Sequence, residues 1–373
     1  MINRPLIVLA DDLTGAAEIA AIAHENGMQS VVLTRLPRSP IKTDVLVFDT
    51  DTRLARPAVA ARRVRETVRR LKKLPHAGFF KKTDSVLRGP VLAELAAAVA
   101  ALGLRRALLV AGNPSLGRTI RHGHCLIAGL PLDQTAFGRD PHHPARSSSV
   151  LTLLGAGKDG RTVCAKPGGR LPRSGVIVGD HRSASDTLRW ARSVDGHTLP
   201  AGGADFFQAW LRSRIAVNPY PASVTIPTSP ALLLLGTTAA PALPHAMFFS
   251  GTRPPSAVRV AAALRRQNTV AVTATVVTLN DPHAPARISR GYASLARTLR
   301  DTGAFRHLLV TGGATSAAVL RKLGWTRLKV VRVWGPGVVT LEPLGEPAFA
   351  VTLKPGSYLW PADIRRFLSP ILN

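Results

Sequence analysis

The segment Leu6-Ile7-Val8-Leu9-Ala10-Asp11-Asp12-Leu13-Thr14-Gly15 decides how this chain is read. Five consecutive apolar residues followed by small polar ones make a buried parallel strand. The Asp, Thr and Gly that follow make a tight turn into a helix, with an acidic residue able to cap it. Asp11 and Asp12 therefore fall at the carboxyl end of a first strand, where open α/β sheets place their ligands. Only one of the two can cap. A second carboxylate beside a buried strand end is costly unless water, a cation or a ligand meets it.

Outward from this turn, apolar runs alternate with helical stretches, as a parallel sheet with crossover helices requires. Further strands are expected at 30–34, 45–49, 78–81, 107–111 and 176–179, with helices at 16–26, 58–74 and 91–102 that stop at Gly27 and Gly103. Residues 139–173, richer in Pro, Gly, Ser and Arg, read as loops or short strands, and Ser183-Ala184-Ser185-Asp186 caps a helix to about Arg192. Pro219, Pro221, Pro227 and Pro230 then mark a boundary, which divides the chain into domains at 1–225 and 226–373. The rhythm restarts with strands at 231–235, 270–278 and 307–310 and helices at 258–266 and 289–302. Gly312-Gly313-Ala314-Thr315-Ser316 opens another helix that ends at Gly324, and strand-like segments run to Leu353. The expected fold class is α/β: two domains, each a parallel or mixed sheet flanked by helices, with the active site in the interdomain cleft.

Length and composition agree. At 373 residues with 46% hydrophobic and 19% charged residues, the chain can bury a core in each of two domains. It has no run of eighteen apolar residues, so no transmembrane helix is expected, and the early first strand leaves no room for a signal peptide. Cys125 and Cys164 are too few for a disulfide framework or a zinc site, so a reduced cytoplasmic setting is expected.

A net charge of +27 raises nucleic-acid binding. Yet the basic residues are scattered, aromatics are 5%, and the densest clusters, Arg62-Arg63-Val64-Arg65 and Arg69-Arg70-Leu71-Lys72-Lys73, share one amphipathic helix pattern. They read as its solvated face. A positive field that attracts anionic small molecules fits better than a nucleic-acid partner.

Four strand ends of the first domain carry chemistry. Besides Asp11-Asp12 there are Asp49-Thr50-Asp51-Thr52-Arg53, Lys81-Lys82-Thr83-Asp84-Ser85-Val86-Leu87-Arg88-Gly89, and Gly112-Asn113-Pro114-Ser115-Leu116-Gly117-Arg118-Thr119. Singly, Lys82–Asp84 could be a surface ion pair and Arg53 a solvated loop residue. Delivered to one sheet edge, their cations suit a carboxylate and their short polar groups suit hydroxyls. In the second domain the Gly312–Ser316 turn offers free backbone N–H groups and a helix dipole to a phosphate, although it lacks the Gly-Lys-Ser/Thr ending of a Walker loop. A sugar-acid site on one domain and a phosphate cradle on the other suggest phosphoryl transfer.

These motifs resemble the four-carbon acid sugar kinase family, which includes D-threonate, D-erythronate and 3-oxo-tetronate kinases. The resemblance rests on Ala10–Ala16, Asp51-Thr52-Arg53, the Lys81–Gly89 stretch, Gly117-Arg118-Thr119, Asp140-Pro141, residues 178–188 and 202–211, the Gly312–Ser316 turn and Lys354-Pro355-Gly356. It implies an ATP-dependent, Mg²⁺-assisted kinase acting on the terminal hydroxyl of a sugar acid, with no membrane partner and a homo-oligomer allowed. The implied catalytic residues are Asp12 and Asp84, one of them the base. The implied substrate ligands are Asp12, Arg53, Lys82, Thr83, Asp84, Ser85, Arg88 and Arg118. The implied nucleotide contacts are Thr237, Gly312, Gly313, Ala314, Thr315 and Gly356. With this turn given to Asp12 as a substrate contact, Asp11 becomes the structural partner or cap.

Three departures fall in the second domain. The family's Gly-Ser-X-Ser is Gly236-Thr237-Thr238-Ala239 here, its acidic residue in the Gly-Gly turn is Ala314, and its closing Lys-X-Gly-Gly-Phe-Gly is Lys354-Pro355-Gly356-Ser357-Tyr358-Leu359. They motivate an alternative: a degenerate homologue that binds a sugar acid without efficient phosphoryl transfer.

Overall fold

The computed structural model describes residues 4–37, 39–140, 143–157, 160–214, 229–236, 246–274, 283–356 and 358–367. The chain divides into two compact units, Met1–Met28 with Leu36–Pro219 and Gln29–Arg35 with Tyr220–Asn373. Positions 225 and 226, between which the sequence reading divides the chain, lie outside the described residues.

In chain order the first half contains β1 (Leu6–Ala10), α1 (Leu13–Glu25), β2 (Ser30–Leu33), β3 (Val45–Asp49), α2 (Pro57–Leu71), β4 (Gly78–Lys82), α3 (Val91–Leu102) and β5 (Arg106–Val110). Then come β6 (Arg118–Arg121), β7 (His124–Ile127), β8 (Leu130–Pro131), α4 (Val150–Leu153), β9 (Thr162–Ala165), β10 (Gly175–Gly179), α5 (Ala184–Arg192), β11 (Thr198–Gly202) and α6 (Ala204–Arg212). The second half adds β12 (Ala231–Leu235), β13 (Met247–Phe248), α7 (Ala257–Gln267), β14 (Thr269–Thr273), α8 (Ala284–Asp301), β15 (His307–Thr311) and α9 (Gly313–Leu323). It closes with β16 (Arg327–Gly335), β17 (Val338–Pro343), β18 (Ala350–Lys354) and α10 (Ala362–Phe367).

The sheet of the first unit runs β3-β1-β4-β11-β5-β10-β9, with every neighbouring pair parallel. From β1 the chain goes to β3 on one side and returns to β4 on the other, so the strand order reverses at β1. Such a reversal opens a crevice at the strands' carboxyl ends. Ala10 pairs with both Asp49 and Lys82, and Lys82 with Gly202, so these strands end level. β1 is buried throughout, as its apolar run requires. Packing of the unit is anchored by the rings of Phe80, Phe206, Phe207 and Trp210, whose centroids lie 5.0–6.4 Å apart. Burying such an aromatic cluster is worth several kcal/mol to the unit, on the order of 2 kcal/mol per ring.

β11, Thr198-Leu199-Pro200-Ala201-Gly202, is absent from the strands expected from sequence, yet it lies between β4 and β5. Proline ordinarily argues against an interior strand because it removes a ladder donor. The β6-β7-β8 antiparallel sheet was likewise not expected, being too short and polar for a period-2 signal. The expected basic face of α2 is present: Arg62, Arg63, Arg65, Arg69 and Arg70 are exposed while Val64, Val68 and Leu71 are buried.

The second unit has the order β13-β14-β12-β15-β18-β17-β16-β2, parallel from β13 to β18 and antiparallel from β18 to β2. Part of its core is Leu233, Leu235, Ala271, Leu309, Val338 and Ile364. α8 begins at Ala284, five residues before the expected start, because Pro285 sits in its first turn, where a missing N–H costs nothing. The end of the expected strand at 275–278 lies outside the described residues. Among the described residues no helix is long and apolar enough to cross a membrane.

Candidate active site

The turn after β1 divides its two carboxylates between two jobs. Asp12, not Asp11, caps α1: its Oδ1 accepts from the N–H of Gly15 at 2.8 Å and its Oδ2 from the Thr14 hydroxyl at 2.9 Å. The cap half of the expectation for Asp11 is thus corrected. Extended backbone at Asp12 (φ −145°, ψ 163°) aims its carboxylate back over the first turn, whereas Asp11 continues the strand direction inward. Asp11 is buried, and its Oδ2 is bound by Arg53 Nε.

Arg53 is the hub. Its guanidinium reaches Asp11, Asp12 Oδ1 at 3.2 Å and Asp84 Oδ1 at 3.4 Å. The loop that carries it is laced to the end of β1: the Thr50 hydroxyl and the N–H groups of Thr52 and Arg53 all donate to carbonyls of Ala10 or Asp11. At Gly89 an added Cβ would lie 2.9 Å from the Arg53 carbonyl oxygen, so a side chain there would push this loop away. Leu87 is held at φ +64°, a conformation that costs a bulky residue about 1–3 kcal/mol.

Asp84 is gripped from the other side. Arg88 donates from Nε and Nη2 to its two oxygens, both at 2.9 Å, and from its backbone N–H at 3.0 Å. Arg88 Nη1 continues to Asp140 Oδ2 at 3.0 Å, and Arg118 Nη1 donates to the Ser85 hydroxyl at 2.7 Å. Burial pushes the Asp84 carboxyl up, but the charges of Arg53 and Arg88 outweigh it and hold it far below the carboxylate range. Burial opposed by Arg53 also leaves Asp11 lowered.

Lys82 is buried against α1, its Nζ 3.2 Å from Glu18 Oε2 and donating to the Thr83 carbonyl at 3.0 Å. Thr83 is wholly buried, and its hydroxyl has no hydrogen-bond partner among the described residues. The groups left half-open are Asp12, Arg53, Arg88 and Arg118. Three residues that sequence reasoning did not single out complete the surroundings. Glu18 holds Lys82, Phe137 lies under both Arg88 and Arg118 at 5.5 and 5.6 Å, and His143 Nε2 donates to the Arg53 carbonyl at 3.1 Å. Glu18 is the sixth residue of a helix whose start was legible; only the register of α1 against β4 identifies it.

Asp49, level with this cluster, is buried and pushed up to about 8 by that burial and by the charges of Asp12, Asp51 and Asp11, against one hydrogen bond from the Asp51 N–H. The folded chain keeps this proton between pH 4 and 8 while the unfolded chain has lost it, so the group subtracts stability as pH rises through that window. Asp49→Asn, which keeps the acceptor oxygen, should remove a slope of about 1.4 kcal/mol per pH unit between pH 5 and 7. Denaturant midpoints of both proteins at the two pH values test this; parallel slopes would reject it.

In the second unit, Gly312 (φ +95°) caps α9 without a side chain, which leaves the first-turn N–H groups of Gly313, Ala314 and Thr315 to an anion. Gly236 closes in so tightly that an added Cβ would lie 2.2 Å from the Thr315 hydroxyl and 2.6 Å from the Thr311 carbonyl. Lys354 ends the neighbouring strand, its carbonyl accepting from the Gly312 N–H at 2.9 Å, and burial pushes its ammonium down to about 8. Gly356 follows two residues on. Backbone donors at a helix start beside a lysine fit a phosphate chain. No acidic residue lies in the first turn of α9, and among the described residues no group of three or more His, Cys, Asp or Glu could hold a metal. Thr237, Thr238, Ala239, Pro141 and Ser357 lie outside the described residues.

Residues 6–167 match the model of a sugar-binding N-terminal domain and residues 243–358 that of a nucleotide-binding C-terminal domain. The chain belongs to the four-carbon acid sugar kinase family. Among its relatives, a D-erythronate kinase of Heliobacterium modesticaldum is 33% identical over 156 residues, and a D-threonate kinase of Salmonella typhimurium 33% identical over 151. Each of these alignments spans 40% of this chain and 36% of the relative's own length. A 3-oxo-tetronate kinase of Actinobacillus succinogenes is 23% identical over 408 aligned positions, 94% of this chain and 96% of its own. The fold recurs in a crystal structure from Haemophilus influenzae, with a TM-score of 0.72 at 18% identity over 98% of this chain and 100% of that one. Another from Salmonella typhimurium gives 0.75 at 20% identity over 95% and 96%.

Proposed function

We propose that the chain is an ATP-dependent kinase that phosphorylates the terminal hydroxyl of a four-carbon sugar acid of the threonate, erythronate or 3-oxo-tetronate type. One observation carries the reading: Arg53 bridges Asp11, Asp12 and Asp84 at the carboxyl ends of β1 and β4, with Arg88 and Arg118 beside it. Guanidinium forks on rigid supports suit a carboxylate, and the adjacent Ser85 and Asp12 suit hydroxyls.

Asp12 is assigned as the group that orients the attacking hydroxyl and accepts its proton. Asp84 has both oxygens engaged by arginine and is held too far below its ordinary range to be an effective base. Arg53, Arg88 and Arg118 orient the acid, and Lys82 and Thr83 line the floor beneath it. The N–H groups of Gly313, Ala314 and Thr315, with Lys354 and Gly356 nearby, hold the nucleotide phosphates. A Mg²⁺ ion brought by the nucleotide would be held mainly by its phosphates and would supply positive charge against the transferring group. Rate then comes from positioning and from cations placed against developing charge. A sugar acid bound without transfer is the competing reading, favoured by the alanine at position 314.

ADP release from a panel of four-carbon acids, with ATP and Mg²⁺, is the deciding measurement. Turnover of at least one acid is expected, and Asp12→Asn should lower kcat by roughly 10²–10⁴. Asparagine caps a helix as well as aspartate, so its thermal midpoint should stay near that of the wild type. Thermal stabilisation by an acid with no ADP release from any would select the non-transferring reading.

A further inference from the structure

The first unit contains a cavity of about 270 Å³ at the carboxyl ends of β9 and β10. Lys166 follows β9, Asp180 and Arg182 follow β10, Arg121 ends β6, and Arg189 reaches in from α5. None of the residues that line it belongs to the Asp11–Arg53–Asp84 cluster. β6 touches both places on opposite faces. Arg118 at its start donates to Ser85, while Arg121, three residues on, alternates to the other side.

Two carboxylates and four permanent cations line this cavity, so two positive charges are left over. The carboxylates are already engaged. Asp180 accepts the N–H groups of His122 and Gly123 at 2.7 and 3.0 Å and so closes the β6–β7 turn, in which His122 takes φ +50°. Asp186 accepts the Arg182 N–H at 2.9 Å and pairs with Arg189. The Arg182 side chain stands 4.0 Å from it. Arg121, His122 and Lys166 have no side-chain partner among the described residues, and all three are exposed at the rim. Unpaired cations gathered around one concavity repel one another, and a bound anion relieves that.

We propose that this cavity is a second anion site, which takes a small phosphate- or carboxylate-bearing molecule with two or more negative charges. Arg121 supplies a planar fork for one oxyanion group and Lys166 a point charge for another. The excess of two charges matches a dianion.

Inorganic pyrophosphate is a suitable probe, with lysine acetylation at constant ionic strength as a site-specific readout. Pyrophosphate should slow acetylation of Lys166 about fivefold or more, because a bound dianion masks its ammonium. Lys73, exposed in the turn after α2, should react at an unchanged rate. Arg121→Ala should raise the pyrophosphate concentration that half-protects Lys166 about tenfold, a loss of about 1.4 kcal/mol. Arg65→Ala, which removes the same charge elsewhere, should not. No slowing at Lys166, equal slowing at Lys73, or equal protection in Arg121→Ala and wild type would each overturn the proposal. These outcomes are read without turnover, so they stand or fall separately from the kinase reading.

Discussion

Arg53→Ala should destabilise the first unit by about 3–5 kcal/mol and reduce turnover by a factor of roughly 10³ or more. The stability loss follows from what is left behind. Asp11 stays 2% exposed; among the described residues its Oδ1 already lacks a partner and Arg53 alone forms an ion pair with its Oδ2. A buried carboxylate in that position responds by holding a proton. In the wild type, Asp11 and Asp84 are lowered, so their contribution is complete above pH 4 and lost only as pH falls below it. In the variant the sign reverses for Asp11. Its stability should fall more steeply from pH 5 to 7 than that of the wild type, by up to about 1.4 kcal/mol per pH unit. Adding Asp11→Asn should restore most of the stability, since the amide needs no counter-charge, while turnover stays lost because no fork faces the acid. Chemical denaturation and ADP release on the three proteins test both halves. Recovery of turnover in the double variant would make Arg53 a structural residue only.

The double role proposed for Arg53 is half legible in the sequence. Its place after a strand end pointed to the site, but its three carboxylate partners come from the turn after β1 and the loop after β4, which only the strand order β3-β1-β4 brings together. Asp11-Asp12 was legible as a pair with two jobs. Which residue did which depended on backbone angles that no residue type encodes, since either aspartate can cap. The strand Thr198–Gly202 was hidden because local preference and tertiary demand conflict there: Pro200 suits an edge, and the sheet places it centrally. Phe137 and His143 arrive on loops beyond the β6-β7-β8 sheet, where no period marks the chain, and their value lies in touching Arg88, Arg118 and Arg53. The glycine turn of α9 was plain from Gly312-Gly313, whereas the closeness of Gly236 to Thr315 was not, being a contact between the end of β12 and the first turn of α9.

Two adjacent lysines show how the same residue type is sorted by pleat. Successive side chains of a strand point to opposite faces, so Lys81 meets α3 and Lys82 meets α1. Lys81 is fully buried, its Nζ 2.8 Å from Glu94 Oε2 and donating to the Lys82 carbonyl at 2.9 Å; Glu94 is 1% exposed with Oε1 unpartnered among the described residues. Removing one member strands the other charge, so Lys81→Met should cost about 3–5 kcal/mol. Glu94→Leu alone should cost a similar amount. Together, Lys81→Met and Glu94→Leu replace an ion pair by apolar groups of similar volume, a change that is commonly neutral or stabilising, so the double variant should return to within about 1 kcal/mol of the wild type. Because this pair faces away from Asp12 and Arg53, the double variant should also keep its kinase rate. Lys82→Met should lose it, since that side chain lies beside Gly15 and Asp12 on the other face. Unfolding free energies of the four proteins give the coupling directly, and ADP release from the Lys82 variant shows whether the strand's two faces divide support from chemistry. Equal losses of rate from the Lys81–Glu94 double variant and from Lys82→Met would dissolve that division.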